Sequence, residues 1–335
     1  MKTPIDFVIT WVDPNDPKWQ KERQQYKNTS EEANGSVRYR DWGFLKYLFR
    51  AMEVNTPWVN KIFFVTCGHV PSWLNTDHEK LVLVKHSDYI PKEYLPTYNS
   101  NVIELFFDRI PSLSEQFVYL NDDMFFFDRL SEEDFFQNGL PVDTFSWNAV
   151  SAKQQNSMIE HIILNDMELL ERHYDKKAVQ KSQMSKLLSL KNGKNVSKTV
   201  MLWPWKHFTG IENPHVAQPY LKSNLTFLWK EEEMAMKETA ANRFRTSEDL
   251  SLWLARYVSL VNGEFVLKSR KRDCYYVIGE ENGEFIRNAE NKAYRLVCLN
   301  DSDEIRNYEK VKTEMTQMME TLFPNPSSFE KEESL

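Results

Sequence analysis

The sequence predicts an α/β fold with a mostly parallel central sheet, and three observations lead to it. Apolar runs of strand length recur through the first 150 residues with almost no polar interruption, as strands buried on both faces require. Helical apolar periodicity alternates with those runs, giving the order strand, helix, strand, strand, helix, strand. Glycine is scarce, nine residues in 335, which argues against glycine-rich repeats and a loose all-β fold.

Residues 5–12 (IDFVITWV) are β-branched and aromatic and stop at Asp13-Pro14, a strand followed by a turn. Residues 18–38 are polar, a loop or a solvated helix. Over residues 41–54, Phe44, Leu45, Leu48, Phe49 and Met52 recur at helical spacing. Strands follow at 61–66 (KIFFVT) and 80–85 (KLVLVK), a helix at 101–110, and a strand at 116–120 that runs into Asn121-Asp122-Asp123. The second half reads as more helical, with helices expected at 158–170, 179–190, 224–242 and 247–261. The last of these has Ser247-Glu248-Asp249 at its start, a sequence suited to an N-cap. Residues 191–198 read as a loop, 275–278 and 293–298 as short strands, and 305–322 as a helix before a disordered polar end. The expected organisation is an α/β half (1–150), a helix-rich half completing the same catalytic domain (151–301), and a C-terminal helix and tail (302–335).

With 41% apolar and 27% charged residues, the chain has the composition of a soluble globular protein. A formal charge of −7 gives no general electrostatic attraction to nucleic acid. Cys67, Cys274 and Cys298 are odd in number and lack metal-ligand spacing, so buried thiols in a reducing compartment are expected. No signal-peptide pattern and no run of about 18 apolar residues occurs, so the expected location is the cytoplasm. Gly-x-x-x-x-Gly-Lys-[Ser/Thr], Gly-x-Gly-x-x-Gly, His-Glu-x-x-His, Cys-x-x-Cys and Gly-x-Ser-x-Gly motifs are all missing. Their absence argues against P-loop, dinucleotide-binding, zinc-peptidase and α/β-hydrolase chemistry.

Acidic residues gather at strand ends. Asp122 and Asp123 follow one strand, Asp13 follows another, and Asn300-Asp301 follows a third. Ligands of open α/β sheets sit beyond the carboxyl ends of strands. Adjacent carboxylates there suit a hard divalent ion, which takes one or two carboxylates plus substrate phosphate oxygens. Taken alone, a solvated acidic turn accounts for Asp122-Asp123 as well as a cation site does, and accounts better for Asp13 and for Asn300-Asp301. His215, in a proline-flanked loop, is either a rigidly held general base or an ordinary surface histidine. Arg245 is expected just before a helix N-terminus, either to contact phosphate or to pair with Glu248 or Asp249.

Taken together these stretches resemble the Stealth family of sugar-1-phosphate transferases. The first block of resemblance is Ile5 through Asp13. The second includes Arg40-Asp41-Trp42-Gly43, Tyr98-Asn99-Ser100, Glu104 and Asn121-Asp122-Asp123. The third carries His215, Phe244-Arg245 and Ser247-Glu248-Asp249. The fourth is Cys298-Leu299-Asn300-Asp301. The second block departs mildly from the family pattern, with Tyr98 where many relatives have phenylalanine.

The resemblance implies a Rossmann-like, GT-A-like nucleotide-sugar-binding core and transfer of a sugar-1-phosphate from a UDP-linked or similar donor to a hydroxyl of a glycan or lipid-linked oligosaccharide. It implies Mg²⁺ or Mn²⁺ on Asp122, Asp123 and Asp301, with His215, Arg245 and Asp123 as catalytic groups. Asp13, Arg40, Asp41, Asn99, Ser100 and Glu104 are expected near the donor. It also implies work in capsule or exopolysaccharide synthesis, in the bacterial cytoplasm or at the inner face of the membrane, although no basic amphipathic helix in the sequence demands membrane contact. A conventional glycosyltransferase releasing the nucleoside diphosphate is the competing enzymatic expectation. A non-catalytic sugar-binding protein is the other alternative.

Overall fold

The computed structural model describes residues 3–26, 40–152 and 157–332. Along the first half it forms β1 (Ile5–Thr10), α1 (Pro17–Tyr26), α2 (Leu45–Asn55), β2 (Ile62–Thr66), β3 (Leu81–Lys85), α3 (His86–Tyr89), α4 (Ser100–Leu105) and β4 (Gln116–Asn121). The short strands β5 (Met124–Phe126), β6 (Phe136–Gln137) and β7 (Leu140–Asp143) follow. Next come α5 (Met158–His173), α6 (Lys176–Ser182), α7 (Met184–Leu187), α8 (Asn195–Met201), β8 (Gln218–Leu221), α9 (Lys222–Glu231) and α10 (Glu233–Ala240). The chain closes with α11 (Trp253–Asn262), β9 (Val266–Leu267), β10 (Cys274–Val277), α12 (Gly283–Glu290), β11 (Leu296–Asn300) and α13 (Tyr308–Leu322).

The main sheet runs β3-β2-β1-β4-β8, with parallel pairing except at β8. The expected α/β architecture is therefore present. Its apolar strands are continuous because successive side chains enter opposite cores. Phe7 and Ile9 of β1, Phe64 of β2 and Leu120 of β4 face one core, which α2, α12 and α13 complete. Val8, Phe63, Phe117 and Tyr119 face the other, filled by residues of α4, α5, α9, α10 and α11. A smaller sheet, β10-β11-β5, joins the first core through Phe125, Val297 and Leu299.

Several sequence expectations need correction. The helix expected over 224–242 is two helices, broken at Glu232. The one expected from Ser247 begins only at Trp253, because Asp249 is not a solvent-facing cap but a buried acceptor. The helix over 101–110 is the single turn-and-a-half of α4 followed by a 3-10 turn, Phe107–Arg109. The 179–190 helix is split between α6 and α7, and the 191–198 loop contains the start of α8. Of the polar stretch 18–38, the part through Tyr26 is helix and residues 27–38 lie outside the described residues. The C-terminal end is not disordered through Lys331. Phe329 is buried, and Glu330 takes a two-pronged ion pair from Arg50 at 2.7 Å per contact.

Candidate active site

The two-residue turn between β4 and β5 consists of Asp122 and Asp123, and β11 fixes it from the side. Leu299 N–H donates to the Asp123 carbonyl at 2.8 Å, and Cys298 pairs with Met124. That pairing sets the Cys298 thiol 3.4 Å from Asp123 Oδ2, to which it donates. The Asp123, His215 and Cys298 ligand atoms all lie within 4.8 Å of one another. His215 precedes the edge strand β8, in a segment folded back by a 3.0 Å hydrogen bond from Gln218 to the Pro214 carbonyl. Its ring packs edge-on against Tyr275, centroids 5.4 Å apart, and against Trp253 at 6.5 Å. These two rings flank the imidazole.

Burial drives the titration of this group. It lowers the pKa of His215, favouring the neutral ring, while Asp123 pulls the other way. It raises the Asp123 carboxyl, opposed by His215 and by the Cys298 hydrogen bond. The Cys298 thiol is pushed far up by burial and by Asp123, so it stays protonated. Asp122 opens to solvent at the surface yet is crowded by protein below, and desolvation followed by Asp123 raises it to about 7.

Arg245 is electrostatically coupled to His215 and donates to the Ser100 hydroxyl. Ser100 in turn supports Glu104, one helical turn along α4. Desolvation raises Glu104 to about 7, against the opposing pull of Arg245, Tyr119 and Ser100. The Tyr119 hydroxyl lies 2.9 Å from Glu104 Oε1, 2.6 Å from Asn121 Oδ1 and 3.1 Å from Thr10 Oγ1. With one proton to give, it links the acidic turn, the end of β1 and the arginine's support in a single network.

The structure sorts the remaining expected residues. Asn99, expected near the donor, is fully buried. It caps α4 by accepting from Asn101 N–H, and its amide donates to Asp249 at 2.7 Å. Asp249 also accepts from Asn101, Asn242 and Thr246. Those bonds hold the loop bearing Arg245 beside α4, so Arg245 stands on a hydrogen-bonded loop and not at a helix N-terminus. Asp301 is the third carboxylate of the expected ligand set. It lies outside the close Asp123-His215-Cys298 group and pairs with Arg40 at 3.2 Å, although its Oδ2 is buried without a hydrogen-bond partner. Asp41 is exposed and near enough to Asp122 to raise its pKa. Asp13 sits at the end of β1, where its N–H donates to His69 Nε2 at 2.8 Å. Sequence reasoning did not assign Cys298, Tyr119 or His69 a place here. Cys298 carried a signal, being directly followed by the Leu299-Asn300-Asp301 end of β11. A depression of about 500 Å³ beside α13, lined by Glu281, Glu309 and Glu314, shares no residue with the site.

The sequence itself settles the ancestry. Stealth protein CR1, conserved region 1, matches residues 3–31; CR2, conserved region 2, matches residues 38–143; and CR4, conserved region 4, matches residues 284–335. A protein named capsular polysaccharide phosphotransferase WcwK, from Streptococcus pneumoniae, is 39% identical over 98% of both chains. The chain belongs to the Stealth family. The receptor polysaccharide phosphotransferase WefC of Streptococcus gordonii is 35% identical over 97% of this chain and 98% of its own. The exopolysaccharide phosphotransferase cps2G of Lactiplantibacillus plantarum is 33% identical over 98% and 96%. A solved galactosyltransferase, LgtC, overlays with a TM-score of 0.36 at 10% identity, covering 96% of this chain and 98% of that one, too remote to bear on mechanism. Within this Stealth chain, His215 and Arg245 lie between the matched regions.

Proposed function

We propose that this Stealth enzyme transfers a sugar-1-phosphate from a nucleotide-diphosphate sugar to a hydroxyl of a glycan acceptor in capsular or exopolysaccharide synthesis. The acceptor oxygen forms a bond to the sugar-bearing phosphorus, the bond from that phosphorus to the bridging oxygen breaks, and a nucleoside monophosphate leaves. The anomeric bond stays intact. A glycan acceptor and a nucleotide-sugar donor accord with the names of the relatives, and a UDP-linked donor is the specific form proposed. The observation that carries this reading is the convergence of Asp123 and Arg245, from segments far apart in sequence, on the His215 imidazole.

In this scheme His215, neutral when buried, takes the proton of the attacking alcohol, and Asp123 stabilises the imidazolium that results. Arg245, braced by Ser100, binds the phosphoryl oxygens with its planar fork. A divalent cation fits the acidic turn. Buried Asp123 Oδ1 and Asp301 Oδ2 lack hydrogen-bond partners, and Asp122 adds a third carboxylate, the all-oxygen donor set of Mg²⁺ or Mn²⁺. Once bound, such an ion neutralises diphosphate charge. The protonated Cys298 thiol is then a hydrogen-bond donor to Asp123 and no ligand.

The deciding experiment is product analysis over a panel of nucleotide sugars with a glycan acceptor. Nucleoside monophosphate and a phosphodiester phosphorus resonance are expected; a nucleoside diphosphate product would mean ordinary glycosyl transfer. His215→Ala should lower kcat by roughly 10²–10⁴-fold with little change in donor KM. Near-full activity in that variant would remove the base assignment. EDTA should abolish turnover, with Mg²⁺ or Mn²⁺ restoring it.

A further inference from the structure

Residues 176–211 contain eight lysines and neither aspartate nor glutamate, in a chain of formal charge −7. Most of this segment forms a cap of α6, α7 and α8 whose polar underside is consumed by anchoring. Lys176 Nζ donates to the Leu202 and Trp205 carbonyls at 2.9 and 3.1 Å, and Gln180 to the Trp203 carbonyl at 3.1 Å. Lys186 Nζ reaches the Gly263 and Phe265 carbonyls at 2.7 and 2.9 Å. Thr199 accepts from the Trp147 N–H at 3.0 Å, which ties α8 to the buried core.

The outside of the cap is different. Leu190 is 85% exposed, Met201 73%, Trp205 56% and Val200 55%. Met184 and Leu188 are also exposed, so six of the fourteen large apolar side chains exposed among the described residues fall within 184–205. Exposed lysines at 177, 181, 194 and 206 are interleaved with them. Single exposed hydrophobics are ordinary, but this density is not.

We propose that this cap docks the protein onto an anionic lipid bilayer. Tryptophan, leucine and methionine tips can enter the boundary between headgroups and acyl chains while long lysine stems keep their ammonium groups among the lipid phosphates. Among the described residues no helix is long and apolar enough to cross a membrane, and the proposed contact is a peripheral one. The positive cap on a negative chain also orients the approach, since the rest of the protein is repelled by the same surface. Lys198 of the cap pairs with Glu212 at 3.1 Å, three residues before His215, so docking brings the segment leading to His215 close to the lipid. The docking is independent of the reaction assigned to His215.

Flotation of the full chain with vesicles of phosphatidylcholine containing roughly 30% phosphatidylglycerol, against pure phosphatidylcholine, tests the proposal. Binding is expected only to the anionic vesicles and should fall steeply on raising salt to about 0.5 M. Lys177, Lys194 and Lys206 changed together to Glu should reduce vesicle partitioning by on the order of 100-fold, and Trp205→Ala with Leu190→Ala by on the order of tenfold. An unchanged thermal unfolding midpoint in each variant shows that the fold is intact. Equal binding to neutral vesicles, or no binding to either, overturns the proposal. So does charge reversal that leaves anionic-vesicle binding intact, or a wild-type dimer that the Glu variant dissociates, which would assign the face to a second copy of the chain.

Discussion

At Glu104 a carboxyl raised by burial to about 7 stands opposite Arg245, so its charge changes within the working range of most enzymes. Above that pH the carboxylate helps hold the guanidinium; below it, the neutral acid leaves Arg245 supported by Ser100 alone. Other ionisable groups facing Glu104 are Tyr89, Tyr119 and Tyr220, whose own titrations burial raises far upward. Donor kcat/KM should therefore rise with pH through about 7. Removing the Tyr119 hydroxyl takes away a donor that stabilises the carboxylate, so the Glu104 pKa must go up. In Tyr119→Phe the acid limb of the pH profile should move to higher pH by on the order of one unit. A profile identical to wild type would show that Tyr119 plays no part in holding Arg245.

Elements matter here through the loop that carries Arg245. Asp249 is buried with five donors around it from Asn99, Asn101, Thr246 and Asn242. Asp249→Ala would strand those donors and cost about 3 kcal/mol in stability, since a buried polar group without a partner bears its full desolvation penalty. Asp249→Asn keeps acceptor capacity at one oxygen and should lose less, in both unfolding midpoint and activity. Equal effects from the two variants would mean that the carboxylate's acceptors are not what orders the loop. This element also marks the limit of what the sequence conveys. Ser247-Glu248-Asp249 has the composition of an N-cap, but whether a side chain caps a helix or enters the core depends on partners about 150 residues away, and no local pattern encodes Asn99 and Asn101 as those partners. Strand β8 was invisible for a related reason: Gln218-Pro219-Tyr220-Leu221 is short, contains proline, and becomes a strand only through pairing with β4. By contrast β1, β2 and β4 were legible because burial on both faces leaves a continuous apolar run. Asp122, Asp123 and His215 stood out as polar groups at a strand end and in a proline-held loop, but turn chemistry and a surface loop explained them locally, and only the resemblance across distant blocks joined them into one site.

Over the whole molecule, residues 323–331 are clasped onto α2 and the segment between β2 and β3. Asn75 N–H donates to the Phe329 carbonyl and Lys331 N–H to the Trp73 carbonyl, each at 2.8 Å, adding a short antiparallel bridge at the far side of α2. Phe329 fills the gap between Phe49 of α2, ring centroids 5.4 Å apart, and His78 at 3.9 Å. Arg50 holds Glu330 with both prongs and donates also to the Phe323 carbonyl at 3.1 Å. Because α2 packs directly on β5, which begins just after the Asp122-Asp123 turn, this clasp bears on the element beneath the acidic turn. Phe329→Ala should destabilise the fold by about 3 kcal/mol, at the lower end of the range for a buried phenylalanine because a chain end can relax into part of the cavity. Arg50→Ala leaves the Glu330 carboxylate half-buried without its cation, and the same segment should then become susceptible to a protease that spares wild type. The expected signature is a lowered unfolding midpoint with nucleotide-sugar turnover preserved at temperatures well below it. A loss of turnover in Phe329→Ala at full folding would instead mean that the clasp sets the geometry of the acidic turn itself.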